Sequence, residues 1–521
     1  MSEPSGVDPP VHKWLVTLAV MLATVIEVLD VTIANVSLPH MQASFSASVD
    51  EVTWILTSYL VATGVVVPMT GWLAAAVGAK RLLIGSTMLF TAASILCGLA
   101  WDLPSMVFFR VLQGVGGAAL MPLSQTKLLE VFPPREHGLA TAVWGIGIMV
   151  APILGPTLGG WLTDNYHWRW VFLVNVPFGL LAVMLQIAFV PGDRVQTARS
   201  SGRVDYLGLL LVVLSIGCMQ IVLDRGERAD WFAAPWVWVF CGVSVLATLA
   251  LIPWELRREN PVVDIRLFRD PGFAAGSLIT VLLFASLYSN FIMFGLFLQL
   301  LMQYPALQAG MTMAPRGLAT MIGMFFVGQL YARLDPRVVL AIGTVLIAYG
   351  GFEMSNWSGS VAPANMLPPL LITGLGIGFA FVPLSGITIS TVPPESVANA
   401  SSLFNLMRNT GASVGITLSS TLLVRWGQIH QASLVNNVQP TSAAAQAAVA
   451  GAKAVAESGG ADAFTANAQA HGMIYGLVLR EASLQAFTDV FRLSGYVALA
   501  ILPLILFLKK PSADRAAAAL H

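Results

Sequence analysis

Glu27-Val28-Leu29-Asp30-Val31-Thr32-Ile33-Ala34-Asn35-Val36 lies inside the first long apolar stretch of this chain and sets two carboxylates where hydrocarbon is expected. A charged side chain at the centre of a membrane helix costs about 2.5–3.5 kcal/mol on insertion scales, so chance rarely leaves one there. Glu27 and Asp30 are spaced to share one helical face. Two acids on one face of a membrane helix point to a proton site.

The rest of the chain supplies the setting. Of 521 residues, 56% are hydrophobic and 10% charged, whereas soluble domains carry about 25% charged residues. Mean hydropathy is +0.76, the range of polytopic membrane proteins. The formal net charge is zero, which argues against a nucleic-acid partner. The start, Met1-Ser2-Glu3-Pro4-Ser5-Gly6, lacks the basic opening and cleavage site of a signal peptide, so the first apolar run is expected to be a retained helix. Cys97, Cys218 and Cys241 fall in apolar runs and make neither a disulfide framework nor a metal site.

A helix needs roughly 20 apolar residues to cross a bilayer. Fourteen stretches qualify, near 14–37, 52–73, 82–100, 105–130, 138–162, 168–191, 205–223, 235–254, 273–300, 308–332, 338–356, 366–391, 397–424 and 486–508. With the N-terminus cytoplasmic, the inner side holds Lys13, Lys80, Arg81, Arg135, Arg194, Arg257, Arg258, Arg337 and Lys509 among others. The short outer loops hold only Arg169, Arg225 and Arg228. This asymmetry places both termini in the cytoplasm. One outer segment, 425–485, is long and rich in Ala, Gln, Ser and Asn. Two readings of it stand: a flexible or partly helical linker, or a docking surface for another extracytoplasmic protein.

The two halves echo each other. Gly71-Trp72-Leu73 followed by Lys80-Arg81 matches Gly328-Gln329-Leu330 followed by Arg337, and Pro122-Leu123-Ser124 with Pro133-Pro134 matches Pro383-Leu384-Ser385 with Pro393-Pro394. A ladder of small residues, Gly147, Ala151, Gly155 and Gly159, is echoed by Gly411, Gly415 and Ser419. Such ladders let helix backbones approach closely in lipid, and Pro152 and Pro156 add bends that neighbouring helices accommodate. Two similar halves of this kind suit rocking around a site at the midplane.

These residues resemble the major facilitator superfamily, specifically its fourteen-helix drug:proton antiporter branch. Leu29 through Pro39 is similar to that branch's first-helix motif. Arg110-Val111-Leu112-Gln113-Gly114 is similar to the fourth-helix motif, Gly147 through Gly160 to the fifth-helix antiporter motif, and Trp168 through Pro177 to the signature opening the sixth. Ala75 stands where the general superfamily pattern has an aspartate. The resemblance implies an all-α fold of two six-helix pseudo-repeats (14–191 and 273–508) around a linker region with two extra helices (192–272), a cytoplasmic N-terminus (1–13) and a cytoplasmic tail (509–521). It also implies export of hydrophobic or amphipathic compounds driven by the proton gradient, without a cofactor. Leu223 through Phe232 and the 425–485 segment further resemble the inner-membrane transporters of tripartite pumps. That likeness implies a bacterial inner-membrane location, a periplasmic adaptor and an outer-membrane channel.

Individual residues carry separate expectations. Asp30 is expected to couple protons, since burial makes a carboxyl's proton affinity depend on its neighbours; the alternative is a permanently locked ion pair. Arg110, which does not lose its proton, is its expected partner, the alternative being a packing arginine that caps carbonyls; Glu27 shares the proton, attracts cationic compounds, or simply faces water in the cavity. Gln113, Gly114, Gly147, Pro152, Gly155, Pro156 and Gly159 are expected to serve conformational change. Arg408, beside Asn405 in the thirteenth span, and Arg316 in the tenth are expected to face the interior, where they either bind substrate, reading an anionic group, or hold the two halves together. Two readings stand for Tyr288, Asn290, Phe294, Phe297 and Gln299 in the ninth span: a substrate wall that can repack around different ligands, or surface given over to lipid contact and core packing.

Other functions fit less well. The chain lacks a Gly-x-x-x-x-Gly-Lys-Ser/Thr loop for ATP. Its seven histidines are scattered, against an integral membrane enzyme, and it shows no pore loop or ring of charges. A dedicated exporter of one metabolite, such as a siderophore, fatty acid or aromatic acid, is compatible with the same motifs.

Overall fold

A computed structural model describes residues 12–133, 136–192, 205–258, 261–330, 334–393, 396–437 and 442–508. The expected N-terminal segment, the C-terminal tail and loop residues such as Arg135, Arg194 and Lys509 lie largely or wholly outside them. The long helices are α1 (Lys13–Val36), α2 (Trp54–Val77), α3 (Ala79–Gly98), α4 (Leu103–Val131), α5 (His137–Asn165), α6 (Trp170–Phe189), α7 (Tyr206–Arg225), α8 (Pro235–Arg257), α9 (Pro271–Leu301), α10 (Ala306–Leu330), α11 (Pro336–Met354), α12 (Pro363–Ser390), α13 (Val397–Asn437), α14 (Ala443–Ser458) and α15 (Ala463–Ile505). Among the described residues, 11 helices are long and apolar enough to cross a membrane. α5, α10 and α13, of 29, 25 and 41 residues, coincide with the other three expected stretches.

Local chemistry sets where these helices begin. The Asp102 carboxylate accepts the Ser105 N–H at 2.9 Å while the Ser105 hydroxyl accepts the Asp102 N–H, a capping box for α4. Asp270 and Asp335 each cap a helix whose first residue is proline, Pro271 in α9 and Pro336 in α11. Proline suits that position because its missing N–H would be unpaired there anyway. α9 ends in a π turn over Phe297–Leu301, followed by Gln303 at φ 56°.

The small-residue ladders do what their spacing predicts. A Cβ on Gly147 would fall 2.0 Å from Met21 Cε, and one on Gly155 2.1 Å from Thr32 Oγ1. A Cβ on Gly159 would meet Ile33 at 3.1 Å, so α5 lies tight against α1. In the other half, Cβ atoms on Gly411 and Gly415 would meet the backbone of Val281 and Ala285 at 2.4 and 2.2 Å. There Ser419 donates to Ser289, so α13 lies on α9 as α5 lies on α1. α5 remains helical through Pro152 and Pro156.

The two groups of helices, α1–α6 and α9–α15, meet at the end of the bundle where α1 begins. There Ser401 donates to Gln125 Oε1 at 2.9 Å and Ser402 to the Val67 carbonyl at 2.5 Å. Gln125 donates to Ser385 at 3.3 Å. A Cβ on Gly71 would fall 1.9 Å from Asn399 Oδ1, and one on Gly328 2.8 Å from Ala142 Cβ. This end is closed. α7 bridges the groups at one side: Gln220 donates to Ser413 at 2.8 Å, Thr57 to Asp224, and Thr417 to the Leu223 carbonyl at 2.7 Å. α8 is tied to α7 by Ser244 donating to the Ser215 carbonyl at 2.7 Å.

In the 425–485 segment the helical reading prevails over the flexible one among the described residues. Its described residues are nearly all helical, in the end of α13, α14 and the start of α15. α13, at 41 residues, runs about 60 Å, roughly twice a bilayer's hydrocarbon core. His430 lies 2.8 Å from Asp489, and Gln431 donates to the Tyr475 hydroxyl at 3.1 Å, clamping α13 to α15. Alanine content permits helix, but these ties come from residues about 45–60 positions apart, which local composition does not reveal.

Candidate functional site

Asp30 sits at the centre of a sealed polar network inside the first helical group. Arg110 Nη1 donates to its Oδ2 at 2.5 Å, and both side chains are fully buried. Gln113 Nε2 and Asn175 Nδ2 each donate to its Oδ1 at 2.8 Å. All of these contacts donate to the carboxyl, the arrangement an ionised carboxylate requires.

The arginine is held independently. Its Nε donates to the Ile55 carbonyl at 3.0 Å and its Nη1 to Gln113 Oε1 at 2.7 Å. The guanidinium lies 4.3 Å from the Tyr59 ring centre and 5.6 Å from that of Phe172. Its Nη2 is buried without a partner. Ser94 completes the shell, accepting from Gln113 and Asn175 at 3.1 Å each and donating to the Phe172 carbonyl at 3.0 Å. Five helices, α1, α2, α3, α4 and α6, therefore converge on one carboxylate. Gly114 permits it: a Cβ there would fall 2.7 Å from the Tyr59 carbonyl, so α4 lies against α2 at this level.

Glu27, one turn before Asp30, is 7% exposed, and its Oε2 has no hydrogen-bond partner. Asp30 and Arg408 of α13 are the charges that act on it. Arg408 Nη2 rests on Met121 Sδ at 2.6 Å, and Asn405 donates to Gln125 at 3.4 Å, so both belong to the contact between the groups. Arg316 is buried and donates to Asn290 Oδ1 at 2.9 Å.

The ninth-span residues separate. Tyr288 is 39% exposed. Phe294 and Phe297 are fully buried inside the second group, each 5.6 Å from Trp357, with Phe297 also 5.9 Å from Phe487. Gln299 is exposed and donates back to the Gly295 carbonyl at 3.3 Å. The face shared by Asn290, Phe294 and Phe297 is thus turned into the packing of one helical group.

Asn175, Ser94 and Tyr59 were not anticipated as site residues. Asn175 had a signal, being a lone amide within the Trp168–Pro177 stretch. Ser94 and Tyr59 had none, because membrane helices hold many serines and tyrosines.

Paired bundles with a buried charge cluster define a class of membrane transporter. The Major Facilitator Superfamily family model matches residues 20–416, and the chain belongs to that family. It is similar to "Multidrug export protein EmrB" of Escherichia coli (strain K12), 35% identical over 95% of both proteins. It is 32% identical to "Fatty acid resistance protein FarB" of Neisseria gonorrhoeae, over 95% of this chain and 96% of that protein. The human organic anion transporter MFSD10 superposes with a TM-score of 0.62 at 12% identity, over 94% of this chain and 100% of that one, a likeness of fold.

Proposed function

We propose that this protein exports hydrophobic and amphipathic toxic compounds in exchange for protons, by alternating access across a bacterial inner membrane. The observation that carries the proton step is Asp30, fully buried and tied to Arg110, Gln113 and Asn175 on two other helices. A proton on Asp30 removes the charge that holds Arg110. It turns one oxygen from acceptor to donor among three donors, so the tie between α1 and its neighbours loosens. Loss of the proton restores the tie, and alternation between the two drives the rocking of the groups.

The driving force suffices for useful export. A proton moving down ~100 mV releases about 2.3 kcal/mol, and each tenfold concentration ratio costs about 1.4 kcal/mol. One proton per neutral compound therefore sustains roughly a 40-fold gradient.

In this reading the chain crosses the membrane fourteen times with both termini cytoplasmic, and the closed end faces the cytoplasm. The extensions of α13 and α15, with α14, then stand in the periplasm. They offer a surface for an EmrA-like adaptor that hands compounds to a TolC-like outer-membrane channel. Supporting this is a groove of about 540 Å³ between the three helices, lined by Val435, Val449, Ile474 and Tyr475 among others.

The test is the purified protein in vesicles with an imposed pH gradient and an internal pH dye. Lipophilic drugs should trigger proton movement that Asp30→Asn lacks. Undiminished movement in that variant sinks the assignment of Asp30.

A second reading, a dedicated exporter of fatty acids, has its own support. Among the described residues Arg316 and Arg408 are buried and rest on an amide oxygen or a thioether rather than a carboxylate. Proton movement with long-chain fatty acids and with no drug decides for it.

A further inference from the structure

Trp144 of α5 is fully buried and stacks on Phe381 of α12, a residue of the other helical group. The ring centres are 5.8 Å apart and the planes 16° from parallel. This is the geometry of two flat surfaces in contact, and it spans the boundary along which the groups must part. The stack lies at the closed end: a Cβ on neighbouring Gly145 would fall 2.6 Å from Met324 Sδ of α10. The indole Nε1 of Trp144 is buried and has no hydrogen-bond partner. A buried indole N–H with no protein partner is a donor that a compound bound against the ring can use.

The rings do not stop there. Phe284 of α9 meets Phe381 edge-on at 5.8 Å, and Tyr288, one turn along α9, lies 6.2 Å from Phe284. Tyr288 is 39% exposed, while Phe284 and Phe381 are each 5% exposed. The ladder thus runs from a buried stack between the groups to a ring with free surface.

We propose that Trp144 and Phe381 form the gate of the closed end, and that once parted their faces bind the planar aromatic part of an exported compound. The indole N–H of Trp144 donates to an acceptor on that compound. The compound replaces each ring's partner with its own π surface, so the gate opens without exposing aromatic surface to water. Stacking needs only a flat face, so the site admits many aromatic compounds and favours them over aliphatic chains of equal hydrophobicity. The proposal rests on the export reading above.

The test compares two cationic probes on the full-length protein in vesicles. Rhodamine 6G is planar and carries a carbonyl acceptor; dodecyltrimethylammonium is aliphatic. Trp144→Leu should weaken rhodamine binding and export about tenfold, the scale of one aromatic stack, and change dodecyltrimethylammonium less than twofold. Trp144→Phe, which keeps a ring and loses only the N–H, should fall between, and Phe381→Leu should match Trp144→Leu. Equal losses for both probes mean that Trp144 does not bind the aromatic part of the compound and overturn the proposal. So does unchanged rhodamine handling in Trp144→Leu. A wild-type protein that handles neither probe nor any other drug overturns the export reading and this proposal together.

Discussion

Replacing Asp30 with Asn removes one charge from a pair in which both side chains are fully buried. Breaking such a pair from one side leaves the other charge uncompensated and costs about 3–5 kcal/mol. Here the loss should be smaller, because Arg110 keeps the Ile55 carbonyl, Gln113 Oε1 and the Tyr59 ring. The new amide also adds a donor to a carboxyl that receives three donors already. Its oxygen satisfies either Arg110 or the Gln113–Asn175 pair, but not both. We therefore expect Asp30→Asn to lower unfolding stability by about 2–4 kcal/mol. Arg110→Gln should cost a similar amount, and the double variant much less than the sum. A double-mutant cycle by denaturant unfolding in mixed micelles reads the coupling directly. It should exceed about 1.5 kcal/mol, and drug-triggered proton movement should be lost in both single variants. Coupling below about 0.5 kcal/mol, or normal proton movement in Asp30→Asn, refutes the argument.

Other consequences are testable separately. Gly71→Leu places a side chain where a Cβ alone would fall 1.9 Å from Asn399 Oδ1 and 2.7 Å from its Cα. It should hold the closed end apart, seen as longer spin-label distances between α2 and α13; unchanged distances refute the pinch. Gly155→Val should disrupt α1 against α5 at Thr32 and lower stability by about 1–3 kcal/mol, and Gly415→Val should do the same at Ala285. Tolerance of either at full stability counts against the paired ladders. At the outer end, the Thr465 hydroxyl and nearby backbone N–H groups hold the Asp462 carboxyl below its ordinary pKa. A depressed carboxyl contributes stability above its unfolded pKa and loses it as pH falls through the folded value. The first turn of α15 should therefore open at pH below about 4, read as hydrogen-exchange protection corrected for the intrinsic rate. Asp462→Asn should show no such step.

The long apolar helices, the repeat and the Asp30–Arg110 pair were legible in the sequence because membrane burial leaves a local mark. A run of apolar residues, a glycine every fourth position and a charge in hydrocarbon each declare themselves without a partner. What was not legible depends on rotation and on distance along the chain. Phe294 and Phe297 share a face with Asn290, but only packing decides that this face meets Trp357 and Phe487 within one group. Trp144 reads as one aromatic among many until Phe381, more than two hundred residues later, is seen against it. The fastening of α13 to α15 likewise depends on ties such as His430 to Asp489.

The proposed proton step at Asp30 lies inside one helical group, and the packing of α1 gives it a route to the contact between the two. The Asp30 network lies wholly within the first group, so protonation touches no residue of the second directly. α1, however, carries Asp30 on one face and Thr32, Ile33 and Met21 on the face pressed into the glycine ladder of α5. Thr32 donates to the Ala151 carbonyl at 3.4 Å, and the Ser37 and Thr163 hydroxyls are 2.7 Å apart, so the two helices are fastened along their length. α5 in turn presents Ala142, Trp144 and Gly145 to Gly328, Phe381 and Met324 at the closed end. A shift of α1 released at Asp30 must either break the ladder or carry α5 with it. Breaking it separates backbone contacts that only glycine allows, so moving the pair as a unit is the less costly course. In the proposed mechanism the ladder thus joins the proton site to the gate.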